Sequence, residues 1–200
     1  MYEIPVILGS IRNRRESAKV ARFVTRLLKE AYAVNTELLD LKELGLPMME
    51  ERLRFDDSPP AGVRAFSEKM QRADAIVIVT PEYNSGYPGV LKNALDYLKD
   101  EYKRKPFGII TVSSAGLGGV LCLSALRQVV LHLGGVPIPA ILAVPNVAEL
   151  FDSDGSPRDP NFERKARIYF DELLWFTDAI AERKKAERKK KDTASMAAKA

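Results

Sequence analysis

The chain has 200 residues, 46% hydrophobic and 29% charged. That balance fits one domain with a substantial apolar core and excludes an intrinsically disordered chain. The net charge of +4 comes from one run, Arg183 to Lys191, with seven basic residues against one acid, so the basicity describes a tail and the body is slightly acidic.

Residues 1–182 are therefore expected to form the domain, and 183–200 a basic, disordered tail. A weak contact of that tail with nucleic acid or another acidic surface is the alternative to a solvated helix end; nucleic acid is not an expected partner. Cys122 is the one cysteine, which excludes an internal disulfide and a thiolate metal site. No apolar window reaches the length of a membrane span. The N-terminus lacks the basic and long apolar segments of a secretory signal. A cytoplasmic location is the resulting expectation.

In chain order, Glu3 to Leu8 reads as a buried strand and Ser17 to Ala31 as a helix, with Val20, Val24, Leu27 and Leu28 on one stripe. Asn35 to Leu41 is a weaker strand. Pro60 to Arg72 is helical, with Val63, Phe66 and Met70 in phase. Ala75 to Thr80 is the clearest strand, rich in β-branched residues. Pro88 to Leu98 follows as a helix with proline in its first turn. Phe107 to Val112 is a strand, and Gly118 to Leu133 an unusually apolar helix that stops at Gly134-Gly135. Val136 to Ala143 is a weaker last strand. Asn161 to about Lys185 is the last helix.

Strict alternation of strand and helix predicts an α/β, three-layer domain, a five-stranded parallel sheet with helices on both faces. In such sheets ligands bind beyond the carboxyl ends of the strands. Three unusual loops fall there. Gly9 to Ser17 is rich in hydroxyls and guanidinium groups and opens a helix, as a phosphate cup would. It lacks both the dinucleotide-fold glycine pattern and the P-loop lysine. Thr80 to Pro88 packs rings, amides and prolines into a restricted turn suited to a planar heterocycle. Ser113 to Gly119 combines serine donors with glycines that admit a close ligand.

The three loops stand as Gly9-Ser-Ile-Arg-x4-Ser17, Thr80-Pro-Glu-Tyr-Asn-Ser-Gly-Tyr-Pro-Gly-Val-Leu-Lys-Asn-Ala-Leu-Asp96 and Ser113-Ser-Ala-Gly-Leu-Gly-Gly119. In them the chain resembles the NADPH-dependent FMN reductase family, flavodoxin-like quinone, azo-dye and chromate reductases, from about Tyr2 to about Ile180. The resemblance implies that Ser10, Arg12 and Ser17 hold the FMN phosphate. It implies that Pro81, Glu82, Tyr83 and Asn84 line the isoalloxazine, that Ser85 beside them belongs to the cofactor-binding set, and that Ser114, Gly116 and Gly119 approach the ring from the opposite loop. Lys92, Asn93 and Asp96 match the family's helix pattern in a structural role. Arg14 and Arg15 crowd the first loop without an assigned partner.

The implied reaction is ping-pong hydride transfer from NADPH or NADH to FMN and on to a small-molecule acceptor, a quinone, azo compound, flavin or metal oxyanion. The flavin carries the chemistry, so no catalytic side chain and no metal are expected. A flavodoxin-type electron carrier and a flavin-binding regulatory module without turnover are the alternatives. Met48, Met49 and Phe55 are candidates for covering the ring or packing the rim. His132, Cys122 and Trp175 read as packing or interface residues. The apolar 118–133 helix and the family resemblance point to a homodimer or homotetramer.

Overall fold

The computed structural model describes residues 1–197. The N-terminal run is split into β1 (Tyr2–Glu3) and β2 (Val6–Leu8). The break is at Pro5, which has no N–H for a ladder. Pairing resumes at once on either side: the Ile4 and Val6 N–H groups reach the Asn35 and Glu37 carbonyls at 2.8 and 2.9 Å. Helix α1 (Ser17–Ala31) follows, then β3 (Val34–Asn35) and β4 (Leu38–Asp40). Next come α2 (Leu41–Leu44), α3 (Ala61–Arg72), β5 (Ile76–Pro81) and α4 (Gly89–Asp96). Strand β6 (Pro106–Val112) leads to α5 (Val120–His132). The last strand position is split into β7 (Val136–Pro137) and β8 (Leu142–Val144). Short α6 (Val147–Leu150) and long α7 (Pro160–Ala197) complete the order.

The sheet runs β4-β2-β5-β6, with β7 and β8 both along the far side of β6, and every pair is parallel. β1 and β3 form a separate parallel pair. The expected five strands are thus five positions, three of them broken. At the last position the break follows from Pro137 and Pro139. Arg127 repairs it by donating to the carbonyls of Ile138, Pro139 and Ala140 at 2.9, 2.9 and 3.0 Å. The chain order of the positions reverses between β2 and β5, which makes the crevice above them a topological switch point.

Alternating strand residues feed two cores. Val6, Leu8, Val77 and Val79 face the layer of α1 and α7, while Ile7, Ile76 and Ile78 face α3, α4 and α5. Under α1 the rings of Phe23, Phe151 and Phe162 pack on one another, with centroids 5.2–5.8 Å apart. This cluster pins the short α6 segment to the body, in the stretch between the last expected strand and the last expected helix where the sequence reading assigns no element. Gly134, at φ 79°, closes α5 in the left-handed conformation expected of a helix stop.

The last helix is longer than expected. It continues through the basic run to Ala197, so residues 183–197 extend α7 and do not form the disordered tail of the sequence reading. The reason is local: alanine, arginine, lysine and glutamate are strong helix formers. In addition, Glu187 bonds both Arg183, one turn away, and Arg104 of the body, at 3.1 and 3.0 Å. Residues 198–200 lie outside the described residues. No helix among those described is long and apolar enough to cross a membrane.

Phe151 is fully buried in the aromatic cluster. Phe151→Ala is expected to cost about 3–5 kcal/mol, read as a lower urea midpoint at unchanged slope.

Candidate functional site

Four connections meet beyond the carboxyl edge of the sheet, after β2, β5, β6 and β8. They enclose a cavity of about 300 Å³ whose walls include Arg12, Ser17, Pro81, Tyr83, Ser114 and Val147. A larger hollow, about 570 Å³, lies between β8 and α7 and is lined mainly by apolar side chains such as Ile141, Leu142, Phe162 and Ile168. The polar donors gather in the smaller one.

The first loop is built as an anion cradle. Helix α1 starts at Ser17 with no side-chain cap. The backbone N–H groups of Glu16 and Ser17 meet no protein acceptor among the described residues. Ser17 is only 2% exposed, yet its hydroxyl has no hydrogen-bond partner among the described residues. Buried hydroxyls in folded proteins nearly always have one. Free N–H groups, the positive end of the helix dipole and an unpartnered hydroxyl together fit a phosphate. Arg12 stands at the mouth with its guanidinium 5.3 Å from the centroid of the Tyr83 ring. Ser10 lies buried beneath, its Oγ 2.8 Å from the Tyr83 hydroxyl, so the first and second loops are latched together.

Arg15 has a different task. Its guanidinium pairs with the Asp40 carboxylate, 2.8 Å at one oxygen and in close contact at the other, and also reaches the Ser10 carbonyl. Asp40 ends β4 and caps α2 by accepting from the Lys42 N–H at 2.9 Å. The pair is a strut between neighbouring strand ends. It neutralises one of the three crowded guanidinium groups that border the cavity, and leaves Arg12 and Arg14 without a carboxylate partner among the described residues. The sequence reading leaves Arg15 unassigned and passes over Asp40. A lone acid closing an apolar strand is the signal that identifies it.

In the second loop, Tyr83 and Gly86 exchange backbone bonds of 2.8 and 3.0 Å. Asn84 and Ser85 between them have φ of 49° and 65°, the pattern of a two-residue type I′ turn. They form an exposed tip and do not border the cavity, whereas Pro81, Glu82 and Tyr83 do. The Glu82 carboxylate accepts from the Cys122 N–H at 2.9 Å.

In the third loop, Ser114 borders the cavity. Gly116 is exposed, and a Cβ there would meet nothing within 4 Å. Gly119 is buried, at φ 85°, and its Cβ would stand 3.0 Å from Thr111 Cβ. It serves packing at the start of α5 and does not border the cavity. Ser113, which the sequence reading places in this loop without a role of its own, also lines the cavity, as does Val147 of α6, which that reading does not name.

Asn93 holds the 45–59 segment by donating to the Pro47 carbonyl at 2.6 Å and accepting from the Met49 N–H at 2.8 Å. Lys92 and Asp96 pair one turn apart on α4. Met48 and Phe55 are exposed, Met49 packs partly against the core, and Trp175 is exposed rather than in the core.

A sequence model of the family described as NADPH-dependent FMN reductase matches residues 2–149. The chain is 33% identical over 167 residues to a quinone reductase of Pseudomonas putida, covering 80% of this chain and 86% of that one. It is 31% identical over 182 residues to an FMN-dependent NADPH-azoreductase of Staphylococcus aureus, covering 86% and 94%. Among solved structures it is similar to FerB, a flavoenzyme NAD(P)H:(acceptor) oxidoreductase of Paracoccus denitrificans. There the TM-score is 0.72 at 28% identity, over 91% of this chain and 98% of FerB. Strand order and cradle define a flavodoxin-like oxidoreductase class. Within it, the chain belongs to the NADPH-dependent FMN reductase family.

Two outcomes test this geometry. Asp40→Ala strands the Arg15 cation in a largely buried place and removes the α2 cap, at an expected cost of about 3 kcal/mol, measured by denaturant unfolding. Burial, and secondarily the Glu82 charge, push the Cys122 thiol up to about 12. The native protein is therefore expected to resist alkylation at pH 8 and to react at once when unfolded.

Proposed function

We propose that this chain is an FMN-dependent NAD(P)H oxidoreductase that reduces small electron acceptors. The observation that carries the reading is the convergence, in one cavity at the switch point, of an uncapped helix start, a buried hydroxyl without a partner and an unpaired arginine. Ser17, Arg12 and the N–H groups opening α1 hold the phosphate. Ser10 supports the cradle through Tyr83. Pro81, Glu82, Tyr83 and Ser114 border the flavin ring, with Asn84, Ser85 and Gly116 at its rim and Gly119 behind it.

The chemistry supplied by bound FMN is hydride acceptance from NADPH or NADH and delivery of the electrons to the acceptor, in a ping-pong cycle. The side chains around the cavity place, orient and neutralise. No general base is required in the hydride step. The names of the Pseudomonas and Staphylococcus relatives support quinones and azo compounds as the acceptor class. A homodimer or homotetramer is part of the proposal. Leu121 and Leu131 of α5 are 52% and 62% exposed, which leaves an apolar helix face to be covered. An electron carrier that needs a separate reductase is disfavoured by the arginines of the first loop.

The test is an anaerobic titration. Protein loaded with FMN is expected to bleach on adding NADPH or NADH without any partner reductase. Colour that persists with both nucleotides overturns the enzymatic reading. Ser17→Ala and Arg12→Ala are each expected to weaken FMN binding about tenfold or more while leaving riboflavin, which lacks the phosphate, nearly unaffected. Equal losses for both ligands place the phosphate elsewhere.

A further inference from the structure

Helix α5 starts at Val120 with Gly119 in the capping position. Glycine has no side chain to accept the helix's first N–H groups, which a serine or aspartate there would do. That acceptor comes instead from another strand's loop. Glu82, one residue past β5, places its carboxylate 2.9 Å from the N–H of Cys122, the third residue of the helix. Two further contacts follow the same line. The Cys122 sulfur lies 3.8 Å from the Pro81 carbonyl. A Cβ on Gly119 would crowd Thr111 Cβ of β6 at 3.0 Å and would stand 3.4 Å from Glu82 Cβ, so the glycine lets the start of α5 sit close against β6 beside Glu82. The Glu82 N–H is itself held by the Val112 carbonyl at 3.1 Å. Glu82 and Ser114, one from each loop, both border the cavity.

We propose that Glu82 is a positioning residue that also sets the reduction potential. Its carboxylate caps α5 and so holds the Ser113–Gly119 loop in place against the Pro81–Tyr83 loop. The same carboxylate sets a fixed negative charge beside the flavin. The inference rests on the FMN reading for its second half alone. The positive end of α5 makes the charge tolerable in a partly buried place. Reduction adds negative charge to the bound ring, so a nearby carboxylate opposes it.

Two variants separate the roles. Glu82→Gln keeps an oxygen able to accept from the Cys122 N–H but loses the charge. It is expected to retain FMN affinity within about threefold and to move the flavin midpoint potential to a more positive value. Glu82→Ala loses both. It is expected to weaken FMN binding about tenfold and to speed amide exchange at Cys122 in the flavin-free protein. Unchanged exchange in Glu82→Ala overturns the capping role. An unchanged potential in Glu82→Gln overturns the charge role. If wild-type protein fails to bind FMN, the functional reading and the charge role both fall. The exchange measurement, which needs no flavin, still decides the capping role.

Discussion

The register of the parallel ladder governs everything at the carboxyl edge. Leu8 lies beside Asp40 on one side and Val79 on the other. Pro81 lies beside Val112, and Val112 beside Val144. The strands therefore finish nearly level, and their loops leave from one rim. Because parallel strands must return through helices on the faces, the rim is spared the tight hairpins that close antiparallel sheets. A slip of one residue in any pair would turn core residues outward. It would also carry Arg12, Glu82 or Ser114 away from the others. Precision in the site is inherited from packing in the sheet.

Charge at the rim is allocated rather than accumulated. Of the three arginines in the first loop, Arg15 is spent internally on Asp40 and the Ser10 carbonyl. Arg12 rests on the face of Tyr83, a contact favourable for a guanidinium near an aromatic ring. Glu16 is held by Lys19 at 2.7 Å. What remains uncommitted is a small cationic recess, not a broad positive field. That pattern favours one compact anion over a polymer.

Much of this architecture was legible in the sequence, because both periodicities are strong. The bounds of α1 match the 3.6-residue stripe of Val20, Val24, Leu27 and Leu28. β5 and β6 match their β-branched runs to within a residue or so. What was not legible depends on contacts between distant residues. Prolines divide two of the three broken strand positions, but the repair by Arg127 involves groups that only folding brings together. The cup itself was foreseeable, since glycine, serine and arginine concentrate after strands. The division of labour within it was not. Asn84 and Ser85 stand on a turn tip, and Gly119 is buried, for reasons of backbone geometry and neighbour volume that no linear pattern encodes. Residues 183–197 continue α7 because alanine, arginine, lysine and glutamate favour the helix even at high charge density, a preference that outweighs the expected disorder.

The direction of α7 has a practical side. The helix runs against the strands: Tyr169 and Leu173 pack near Gly108, and farther along Glu187 reaches Arg104, just before β6 begins. Its basic end thus emerges at the pole opposite the rim, extending about 1.5 Å per residue. Anything joined to the C-terminus, a fusion partner or a solid support, would hold the molecule from behind. The mouth would then face freely into solution.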